Sequence, residues 1–67
     1  MKNILIQVGS EPSKNEKATK GMNHFVNVFV NGEFSFDHSL EYYDTPWNAR
    51  RGAKNVQNRI GGKIQHV

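Results

Sequence analysis

The sequence predicts an α+β domain, a small antiparallel β-sheet packed against one α-helix in the order β-ββ-α-β. Three observations predict it. Residues 44–62, DTPWNARRGAKNVQNRIGG, read as a single helix with both ends marked. Residues 24–38, HFVNVFVNGEFSFDH, are two alternating runs either side of Asn31-Gly32, the preferred pair for a two-residue hairpin turn. Short apolar segments at 2–8 and 63–67 supply terminal strands.

The first of these, KNILIQV, places Ile4, Ile6 and Val8 on one side and Leu5 and Gln7 on the other. Residues 10–21, SEPSKNEKATKG, are polar and lysine-rich, with a proline and a glycine, and are expected to form a mobile loop. The 24–62 ββα unit would then fold nearly independently of the first strand.

The Asn31-Gly32 turn sets the hairpin register: Val30 opposite Glu33, Phe29 opposite Phe34, Val28 opposite Ser35, Asn27 opposite Phe36 and Phe25 opposite His38. One face then carries Phe25, Phe29, Phe34 and Phe36, and the other Val26, Val28 and Val30. Residues 39–44, SLEYYD, lead into the helix, with Leu40 and one of Tyr42 and Tyr43 expected to close the core and the other tyrosine exposed.

In the helix, Thr45 is the N-cap and Pro46 takes the first helical position, where its missing N–H costs nothing. Gly61 or Gly62 ends it. Ala49, Gly52, Ala53, Val56 and Ile60 fall on one stripe, and Trp47, Arg50, Arg51, Lys54 and Asn58 on the opposite face. The small stripe calls for bulky neighbours, so the phenylalanine face is expected to pack on the helix, leaving the valines uncovered. The closing strand, KIQHV, turns Ile64 inward.

Sixty-seven residues make one domain, 1–67, with a marginal core for which oligomerisation is a common remedy. Without cysteine there is no disulfide, thiolate metal site or cysteine nucleophile. No apolar run reaches the roughly 18 residues of a membrane span, and the apolar core of MKNILIQVGS is short for a signal peptide. A soluble cytoplasmic protein is expected. The net charge of +3 is unevenly spread: Arg50, Arg51, Lys54, Arg59 and Lys63 occupy residues 45–67 with no acid among them. Such a segment suits an anionic partner, or simply a solvated helix face complementing the helix dipole.

The run VNGEFSFDHSLEYYDTPWNARRGAKNVQNRI resembles the YegP-like family of small bacterial domains of uncharacterised function. Asn31-Gly32, the Ser39-Leu40-Glu41-Tyr42-Tyr43 step, and Ala49, Ala53 and Val56 along the helix carry the resemblance. It covers about half the chain and implies a fold, not an activity. Family members often hold two tandem repeats packed together. This chain has one, which implies a homodimer. The 10–21 insertion and the more basic helix depart from the family pattern.

Catalysis needs a nucleophile, acid–base pair or metal with partners in reach. His24, His38 and His66 sit at strand ends without a third ligand, and Glu41 and Asp44 fit the approach to a helix N-terminus. No catalytic residue, metal site or cofactor is expected. Two binding readings stand. In the first, nucleic acid or a nucleoprotein complex docks on Trp47, Arg50, Arg51, Lys54, Asn58 and Lys63, with Trp47 a stacking platform unless it folds back over the sheet, and with Asn55 and Asn58 in reach of base edges. In the second, the chain is a protein-interaction module, such as a phage-type inhibitor or adaptor of a larger host defence complex. Its contacts would be Val26, Val28, Val30, Tyr42 and Tyr43, together with Trp47.

Overall fold

The computed structural model describes residues 3–12 and 22–67 of the protein. The architecture is α+β: β1 (Ile4–Pro12), β2 (Met22–Val30), β3 (Glu33–Phe34), β4 (Leu40–Tyr43), α1 (Pro46–Ile60) and β5 (Lys63–His66). The five strands form one sheet in the order β3-β2-β1-β5, with β4 also pairing with β2. The helix covers one face of it.

The hairpin turn forms as its residues dictate. Asn31 and Gly32 both have positive φ (54° and 85°), as a primed turn requires. Asn31 is tied to the start of β1, its N–H donating to the Asn3 carbonyl (2.7 Å) and its Oδ1 accepting from the Asn3 N–H (2.9 Å). The expected pairs Val30–Glu33 and Phe29–Phe34 are present.

Beyond them the second arm breaks. A turn at residues 36–38 separates β3 from β4, and β4 returns to β2 with a register shift between Val26–Leu40 and His24–Tyr43. The expected Asn27–Phe36 and Phe25–His38 pairs are therefore replaced. Ser39 repairs the gap: its Oγ accepts from the Val28 N–H (2.9 Å) and donates to the Ser35 carbonyl (2.6 Å). Val28 is fully buried, so Ser39→Ala would leave its N–H without an acceptor. An unmet buried donor costs about 1–3 kcal/mol, a loss readable as a lower urea midpoint at unchanged slope.

β1 is longer than its apolar run. Ser10, Glu11 and Pro12 pair with His24, Asn23 and Met22, so the ladder takes in the first residues of the expected mobile loop. Pro12 is tolerated at the strand end, where no ladder N–H is needed. The rest of that loop, 13–21, lies outside the described residues. β1 also pairs in parallel with β5, Ile6 opposite Ile64, making the sheet mixed where an antiparallel one was expected. With β1 between β2 and β5, the 24–62 segment is not a separate unit. Ile4, Ile6 and Val8 belong to the same core cluster as Val26, Val28, Ala49 and Ala53.

That core corrects the expected face. The valines lie under the helix and the phenylalanines do not: Val26 and Val28 are fully buried, while Phe36 is 84% exposed. The β1 register explains it. Ile4, Ile6 and Val8 stand opposite Val30, Val28 and Val26, which makes that face aliphatic throughout. The other face places Gln7 opposite Asn27, between the Leu5–Phe29 and Gly9–Phe25 pairs. A helix laid there would strand two amides. The Ala49 and Ala53 stripe instead lets the helix approach the branched side chains closely.

The helix ends are as marked. Thr45 Oγ1 accepts from the Asn48 N–H (3.1 Å), and the Gly61 N–H donates to the Gln57 carbonyl (2.8 Å). Gly61 and Gly62 both have positive φ (80° and 107°), but only Gly62 is crowded. A Cβ there would lie 2.8 Å from the Ile4 carbonyl oxygen, whereas at Gly61 it would meet open space. Gly62→Ala is thus expected to destabilise by about 2 kcal/mol or more, since backbone strain of about 1–3 kcal/mol is compounded by a clash. Gly61→Ala should cost less, and thermal melts of the two variants make the comparison.

Candidate nucleic-acid interface

The outward face of α1 is a regular array. Trp47, Arg50, Arg51, Lys54 and Asn58 recur at helical spacing, and all are exposed. Trp47 is 66% exposed and so does not fold back over the sheet. At 1.5 Å per residue the stripe runs about 16 Å, close to five steps of a nucleic-acid strand at about 3.4 Å each. Pro46 and the Thr45 cap hold the first turn, so Trp47 projects from a rigid element.

Lys63 does not join this stripe. It pairs with Leu5, while the next residue, Ile64, packs against the core. Strand alternation therefore turns Lys63 to the face away from the helix.

Beside the stripe runs a groove between β4 and α1, lined by Tyr42, Tyr43, Asp44, Asn48, Arg51, Gly52 and Asn55. Tyr43 forms its inner wall. Its ring packs where a Gly52 side chain would be, the Cζ only 2.7 Å from an ideal Cβ, and burial raises its phenol pKa. Tyr43 is thus part of the fold and not a free anchor. Tyr42, 42% exposed, stands at the lip. A hydrogen bond to the Asp44 carboxylate, with partial desolvation and the carboxylate charge, raises its pKa. Leu40, expected in the core, is half exposed (50%): it stands beside the buried Val26 on the side of β2 away from β1.

Asn48 escaped the sequence reading, although its spacing with Arg51, Gly52 and Asn55 marks a second helix stripe. The assumed partner interface is also relocated. Val26 and Val28 are buried and Val30 packs against them, so the uncovered sheet surface belongs to Leu5, Phe25, Phe29, Phe34 and Phe36. Phe34 stacks edge-to-face with Phe29 (5.7 Å between centroids) and with Phe36 (4.8 Å). The Phe25 ring crosses Gly9, 2.6 Å from where a Cβ would stand.

His24 is engaged by Ser10, Oγ to Nδ1 at 2.5 Å. Among the described residues, no group of three His, Cys, Asp or Glu side chains is placed to hold a metal ion, and no helix is long and apolar enough to cross a membrane.

Comparison with known proteins yields no match to a family model, to a curated protein or to a solved structure.

Proposed function

We propose that this protein is a non-enzymatic binding domain that docks on nucleic acid, or on a nucleoprotein complex, through the outer face of α1. One observation carries the reading: Trp47, Arg50, Arg51 and Lys54 are exposed together on one rigid face, in a segment that holds no acid from residue 45 onward. Arginine and lysine supply phosphate contacts, and an exposed tryptophan beside them offers a stacking surface. A cytoplasmic location suits such a partner, and kinship in fold with the YegP-like family is part of the same proposal. The test is a titration with labelled duplex and single-stranded DNA and RNA at two salt concentrations. Binding that falls steeply with salt supports the reading, and no binding at low salt refutes it.

A second reading rests on the phenylalanine face. One exposed and three half-buried phenylalanines around amides suit a protein partner better than phosphate, whether a second copy of the chain or a larger complex that the domain inhibits or adapts. Phe36→Ser should abolish such an association and leave nucleic-acid binding unchanged.

A further inference from the structure

We infer that the groove between β4 and α1 receives an unpaired nucleobase of a single strand whose phosphates lie along the helix stripe. This rests on the nucleic-acid reading and adds the substrate class. Contacts to phosphate position a strand without reading it, whereas base contacts need a concave site with an aromatic surface and directed polar groups. The groove has both.

Tyr42 lines it from β4 and is 42% exposed. Asn48 and Asn55 lie on the helix wall on either side of Arg51 and Gly52. An amide offers both donors and an acceptor to a base edge, and the Asp44 carboxylate adds an acceptor.

Gly52 and Tyr43 close the groove at its inner side. With no side chain at position 52, the hydroxyl end of the Tyr43 ring comes up against the helix. Arg51 belongs to both surfaces, lining the groove and lying on the outward stripe. A base in the groove therefore has its own phosphate within reach of the stripe. Bases within a duplex are stacked and paired, so only an unpaired one can enter.

The test measures binding of a twelve-nucleotide deoxycytidine strand and an abasic strand of equal length to the full chain. Tyr42→Ala, Tyr42→Phe and the parent protein are compared, each checked for folding by circular dichroism. The parent is expected to bind the base-bearing strand about tenfold more tightly, within the range of a single stacked base. Tyr42→Ala should erase the difference, Tyr42→Phe should keep it, and the salt slope should be the same in all three. Equal binding of the two strands by the parent, or discrimination that survives in Tyr42→Ala, overturns the groove while leaving the helix-face reading intact. Binding of neither strand overturns that reading and the groove with it.

Discussion

Val28→Asp is expected to abolish cooperative folding, whereas Phe36→Asp leaves the protein folded. Val28 is fully buried beside β1 in the core cluster under the helix, so a carboxylate there loses its water and meets only apolar side chains among the described residues of that cluster. The cost of an unpaired buried charge is several kcal/mol even after relaxation. A 67-residue domain has a stability on the order of 3–10 kcal/mol at the usual value per residue. Phe36 is 84% exposed, and its replacement removes one edge-to-face contact with Phe34, a loss of about 1 kcal/mol. Circular dichroism and a urea titration of the two variants decide the matter. The opposite pattern would place the phenylalanines under the helix and refute the packing described above.

Replacing Arg50 and Lys54 together with alanine has the largest expected effect on binding. Both side chains are exposed on α1, and alanine is the best helix former, so the fold is retained or slightly strengthened. If each contacts one phosphate, two counterions fewer are released. The slope of log K against log salt should then fall by nearly two, and affinity at low salt by tenfold or more. The measurement is a binding titration across a salt series, alongside a thermal melt. Unchanged affinity with an intact fold would remove the helix face as the docking surface. By contrast, Lys63→Ala should matter little, because β5 turns that side chain to the other side of the sheet.

The candidate site was legible in proportion to how local its determinants are. The basic stripe follows from helical spacing alone, and every member on α1 is where the spacing puts it. Lys63 lies off the stripe because its direction depends on which strand β5 joins. The β4–α1 groove was only half visible. Its small floor at Gly52 was recognised as part of a stripe, but the tyrosine that lies on it comes from a strand created by a break in the hairpin.

The same division runs through the fold. Thr45, Pro46 and Gly61 act on backbone groups within a few residues, and Asn31-Gly32 sets two dihedral pairs, so helix ends and turn were readable from the chain itself. Which sheet face meets the helix was not. On the hairpin alone the phenylalanines look like the better core, carrying more apolar surface than the valines. The choice falls to β1, residues away in sequence, whose Ile4, Ile6 and Val8 extend the valine face and whose Gln7 joins Asn27 on the other. Local sequence determined the elements and their ends. Only tertiary pairing decided the faces, because burying a sheet surface depends on every strand that contributes to it, including its least apolar residue.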